Sequence, residues 1–132
     1  MFASKGIAFS KLFVADLDVS AAFYRSALGF EPGPRFSAPD FDELVLRTLG
    51  GTGSLVLCRW KDGRALVLGN CHGPVGIAVA DTDAAYANCR AAGASPELEP
   101  VTFGNARIAI FRDLDGHAIE LIAYQAARSE PG

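Results

Sequence analysis

The stretch VADLDVSAAFYRSALGFEP, residues 14–32, returns further along the chain as VADTDAAYANCRAAGASP, residues 79–96. In the first copy Phe23 and Ala27, and Tyr24 and Leu28, stand four residues apart. That spacing, entered through Asp16 and Asp18, predicts an amphipathic helix capped at its N-terminus by an Asp side chain. Gly29 stands where a helix C-terminal glycine belongs, and Gly93 holds the same place in the second copy.

Reading outward, residues 7–14 (IAFSKLFV) form a short apolar run that predicts a strand. Three more strands are expected at 31–36, 43–48 and 54–60, with GGTG turning between the last two. The second half repeats the order. A strand at 75–79 leads to a helix starting at Thr82 or Asp83, and strands follow at 97–103, 106–111 and 118–124, the last turn being DLDGH. Each half reads βαβββ. Gly29 and Gly93 stand 64 residues apart, as do Val56 and Glu120 in the two closing strands, so the repeat keeps register as a duplication would. The expected organisation is one domain of 132 residues, with module one at about 5–60, a connector at about 61–73 and module two at about 74–125.

Half of the residues are hydrophobic, which suits a globular core. The net charge of −3 and the lack of a basic run argue against nucleic acid as a partner. Charges interrupt every apolar stretch before the ~18 residues of a membrane helix. Lys11 splits the N-terminal apolar run, which reads as a strand and not as a signal peptide. Cys58, Cys71 and Cys89 are odd in number and show no CxxC spacing, so they read as free thiols in a reducing cytoplasm.

These residues resemble the vicinal-oxygen-chelate superfamily of glyoxalases, bleomycin-resistance proteins and extradiol dioxygenases. VADLDVSAAFYRSALGF and the closing FRDLDGHAIELIAY carry the resemblance, which covers residues 5 to about 125. Leu114 departs from it, standing where the family usually has proline. The implied fold is α+β, with two βαβββ modules whose curved sheets form an open barrel around a cavity. The implied assembly is a homodimer. In metal-dependent members each module's opening strand supplies a ligand, usually His, and each closing strand another, usually Glu. Here those positions are Phe9, Pro74, Val56 and Glu120. Only one has a donor atom, so no metal and no other cofactor is expected. An atypical site of Glu120, Cys58 and His72 is the remaining metal alternative.

Strand alternation sorts the side chains into two faces. Phe9, Lys11, Phe13, Val56, Cys58, Trp60, Gly76, Ala78, Glu120, Ile122 and Tyr124 share the face expected to line the cavity. Leu12, Val14, Leu55, Leu57, Val75, Ile77, Ile119 and Leu121 lie on the other, beneath the helices. If Leu44, Leu46, Ile108 and Ile110 also pack under the helices, then Glu43, Arg47 and Arg107 face the cavity. A carboxylate at Glu120 without a metal needs a cationic partner, for which Lys11 and Arg107 are the candidates, or serves as a proton carrier. The expected function is binding of a small hydrophobic or aromatic molecule. The alternative is a lyase, isomerase or dioxygenase of the same superfamily, using Glu120 as acid/base or in an atypical metal site.

Overall fold

A computed structural model describes residues 1–125. It divides into two compact units, residues 1–69 and the remainder from Asn70 onward.

In the first unit β1 (Phe9–Phe13) leads into α1 (Leu17–Leu28), followed by β2 (Glu31–Ser37), β3 (Phe41–Arg47) and β4 (Ser54–Trp60). The strands form one mixed sheet in the order β1-β4-β3-β2, with β1 and β4 parallel and the other pairs antiparallel. The second unit repeats this with β5 (Val75–Ala78), α2 (Thr82–Ala91), β6 (Ser95–Phe103), β7 (Ala106–Arg112) and β8 (Ala118–Tyr124), in the order β5-β8-β7-β6. The fold is therefore α+β, two open four-stranded mixed sheets with one helix each.

Both helices begin as the repeated phrase requires, but they end differently: Gly29 is the C-cap of α1, whereas Ala92, one residue before Gly93, is that of α2. Asp16 caps α1 by accepting from the Val19 amide at 3.0 Å, and Asp81 caps α2 by accepting from the Ala84 amide at 3.0 Å. Each helix has an Asp in its first turn and an Arg in its last, matching the sign of the helix dipole. Gly29 follows α1 at φ 72°, a conformation that a Cβ disfavours, and the next amide, Phe30, donates to the Tyr24 carbonyl at 3.3 Å.

One face of each sheet packs under its helix. Leu12, Val14, Leu44, Leu46, Leu55 and Leu57 are buried with Phe23, Tyr24 and Ala27 of α1. In the second unit Ala109, Phe111, Ile119 and Leu121 are fully buried, with Tyr86 and Cys89 of α2. Each such Leu or Phe stabilises the fold by about 1.5–3 kcal/mol relative to exposure. The edge strands β2 and β6 each carry a bulge next to a proline, at Pro32 and Pro96, where a ladder donor is missing.

β7 departs from the expected facing. Ile108 and Ile110 do not pack beneath α2; Ala109 and Phe111 do, and Arg107 shares their side of the strand. Its guanidinium makes two 2.9 Å hydrogen bonds to Asp83 of α2, and its carbonyl accepts from the Thr82 hydroxyl at 2.6 Å. Arg107 therefore ties the helix start to the sheet instead of facing the opposite side. The final turn is organised by buried Asp113, whose carboxylate accepts from the amides of Asp115 and His117 at 3.0 and 2.9 Å.

Candidate functional site

On the face of the first sheet away from α1, the register sets the side chains in rows. Lys11, Val56 and Val45 lie side by side, then Phe13, Cys58 and Glu43, then Trp60 and Phe41. Strand β4 runs between β1 and β3, and the Lys11 ammonium hydrogen-bonds the Glu43 carboxylate across it. This ion pair passes over β4, where Val56 is 4% and Cys58 0% exposed. Those two residues, expected to line the site, instead form its floor.

Aromatic rings surround the pair. Lys11 Nζ stands 5.4 Å from the ring centroids of both Phe9 and Phe41, within cation–π range. Phe13 stacks on Trp60 at 4.0 Å between centroids and 17° between planes, and Phe41 meets both rings edge-on. Phe9 is 52% exposed, so the cluster reaches solvent. Phe41 was missed as a site residue because β3 was expected to begin at Glu43. The same alternation carried two residues back would have found it.

The electrostatics are those of a satisfied dyad above a closed thiol. The hydrogen bond to Glu43 holds the Lys11 ammonium above its ordinary pKa. Burial, and then the Glu43 charge, push the Cys58 thiol up to about 11. Cys58 therefore stays protonated at neutral pH and is no nucleophile. Arg64, in the segment after β4, holds its guanidinium carbon 4.0 Å from the Trp60 ring and hydrogen-bonds Asp62 at 2.7–3.0 Å. Those bonds pull the Asp62 carboxyl down to about 2.

In the second sheet Glu120 pairs in register with Gly76 on one side and Ile110 on the other, half-buried on the face away from α2. Ile122 is also half-buried there and Tyr124 is 69% exposed. Lys11 bonds Glu43 and Arg107 bonds Asp83, and Glu120 has no hydrogen-bond or ion-pair partner among the described residues. His72 lies in the segment before β5, outside any strand. Among the described residues no group of three or more His, Cys, Asp or Glu is placed to hold a metal ion. No helix among them is long and apolar enough to cross a membrane.

The model of the Glyoxalase/Bleomycin resistance protein/Dioxygenase superfamily matches residues 6–121, and the chain belongs to that superfamily. Among solved structures, a glyoxylase/bleomycin resistance protein/dioxygenase domain from Frankia sp. EAN1pec is similar at 22% identity and TM-score 0.80. That match covers 93% of this chain and 100% of the other. The trypanothione-dependent glyoxalase I of Leishmania major is similar at 24% identity and TM-score 0.76, over 91% of this chain and 87% of that one. Glyoxalase I from Zea mays matches at 23% identity and TM-score 0.79, over 94% of this chain but 46% of the maize chain. This chain thus spans about half the length of the maize protein. Likeness at these identities establishes a shared fold. No curated protein matches by sequence.

Proposed function

We propose that this chain is a small-molecule-binding member of the superfamily. It takes a small aromatic or hydrophobic ligand on the open face of the first sheet, without the metal that other members use. The observation that carries this reading is the Lys11–Glu43 pair set among Phe9, Phe13, Phe41 and Trp60 on a face that reaches solvent. Rings supply a stacking surface, and the ammonium keeps donors beyond the one given to Glu43, a combination typical of ligand sites. The family's ligand positions support the metal-free part. Phe9, Val56 and Pro74 offer no donor atom, and the single carboxylate of Glu120 does not make a metal site. A homodimer in a reducing cytoplasm goes with this reading, and light scattering in solution tests the dimer.

A panel of small aromatic compounds, scored by thermal shift, tests the binding. A ligand at a hundred times its Kd stabilises the folded state by about 2.7 kcal/mol, a readable rise in Tm. The rise is expected to vanish in Lys11→Met and to weaken in Phe41→Ala. A panel without effect, or a rise that both variants keep, removes the reading.

A second reading rests on Glu120, which lacks a partner among the described residues while both candidate cations bind elsewhere. In it, Glu120 moves a proton on a bound substrate. Exchange of solvent deuterium into a bound ligand, lost in Glu120→Gln while binding persists, supports that reading; binding without exchange rejects it.

A further inference from the structure

A separate cleft opens at the carboxyl ends of the parallel strands β1 and β4. Val14 and Ala15 border it on one side, Arg59 and Trp60 on another, and Arg64 and Leu66 of the following segment close it, around about 260 Å³. Alternation puts Arg59 and Val14 on the α1 side of the sheet, away from the face that carries Lys11, Phe13 and Glu43. Trp60 stands between the two regions, stacked on Phe13 and covered by Arg64.

Two arginines and no acidic residue line the cleft. Arg64 is fixed by Asp62 through Nε and Nη2, which balances its charge from outside and leaves Nη1 unengaged by that carboxylate. Arg59 is exposed, and among the described residues it makes no hydrogen bond or ion pair. Asp42, its neighbour across the ladder, lies 3.8 Å from Lys61. Asp16, beside Ala15, directs its carboxylate at the Val19 amide and the positive end of α1. The cleft thus has at its rim an arginine that makes no ion pair among the described residues, and apolar walls in which Ala15 and Leu66 are accessible while Val14 is 1% exposed.

We propose that this cleft binds a small aromatic carboxylate, with the carboxylate on Arg59 and the ring against Ala15 and Leu66. A guanidinium presents paired donors in one plane, matching a carboxylate's two oxygens, which an apolar or purely cationic ligand does not exploit. The volume falls below the ~300–1,000 Å³ of drug-sized pockets, which restricts the ligand to about one ring. Because this site and the open face share no charged residue, either assignment can fail alone.

Benzoate is the probe, followed through backbone amide shifts in the whole chain. The expected result is saturable movement of the Ala15, Gly63 and Ala65 amides. Neutral benzamide binds about tenfold or more weakly, the loss of one charge-assisted contact. Arg59→Gln lowers benzoate affinity to a similar degree, and Arg59→Lys restores part of it, since it keeps charge without the fork. Arg59 is exposed, so Tm is expected to stay unchanged in both variants. Equal binding of benzamide and benzoate by the native protein overturns the proposal whatever the variants do. So does unaltered affinity in Arg59→Gln, or movement confined to Lys11 and Val45 on the other face.

Discussion

Burial pushes the Cys89 thiol up to about 12, as it pushes Cys58 to about 11, while Cys71 is exposed. Only thiolate reacts with a disulfide reagent, and at pH 8 a thiol of pKa 11 is ionised to about one part in a thousand. The native protein is therefore expected to release one equivalent of thionitrobenzoate promptly from Ellman's reagent, and three in denaturant. Cys71→Ser removes the prompt equivalent; its survival in that variant would mean that Cys58 or Cys89 opens to solvent. The Asp62 carboxyl shifts in the opposite sense to the thiols. Its pKa is lowered from 3.8 to about 2 by Arg64, so the clamp is fully formed above the ordinary carboxylate pKa and is lost as pH falls through about 2. Trp60 is the single tryptophan and lies beneath the Arg64 guanidinium. Its emission is expected to hold from pH 7 to 4 and step towards pH 2, with the step absent from Asp62→Asn. An identical step in that variant would assign it to another carboxylate.

At the scale of the element, the two phrases that open the chain's halves behave as interchangeable caps. Asp16→Ala and Asp81→Ala are each expected to cost about 1 kcal/mol in urea unfolding, because each leaves a first-turn amide without its acceptor. Gly29→Ala is expected to cost about 1–2 kcal/mol from the left-handed backbone alone, since no atom lies within 4 Å of the added Cβ. A loss well below 0.5 kcal/mol at either Asp would mean that water serves the helix start as well as the side chain. These devices were legible in the sequence because they act within four or five residues. The facing of β7 was not. In ARIAIFR both alternating sets are apolar, Ile108 with Ile110 and Ala109 with Phe111, so period-two reading has no preference between them. The ladder with β8 decides, pairing Ala109 with Leu121 and Phe111 with Ile119 beneath the helix, and Arg107 on the same side reaches Asp83, 24 residues away. The unbroken run LVLC in β4 did carry the signal of a strand buried on both faces, which places Val56 and Cys58 in the floor.

Across the whole chain, the ladders give the duplication a chemical meaning. Lys11 pairs with Val56 in one sheet, and Gly76 pairs with Glu120 at the equivalent place in the other. The same two positions thus hold a cation on the opening strand in one unit and an anion on the closing strand in the other. The opening-strand ligand positions of both units, Phe9 and Pro74, and the closing-strand position Val56 carry no donor atom, so neither sheet offers a metal donors on both strands. Protein purified without chelator is therefore expected to carry far less than one divalent metal per chain by elemental mass spectrometry. EDTA is expected to leave Tm unchanged, and added zinc not to raise it, because a metal that prefers the folded state must stabilise it. Near-stoichiometric metal, with a Tm that falls under EDTA, would overturn the metal-free reading and make Glu120 the first residue to test as its ligand. Loss of that metal in Glu120→Gln would then favour the enzymatic reading over the binder. Retention of it would point to a site that neither strand pair supplies.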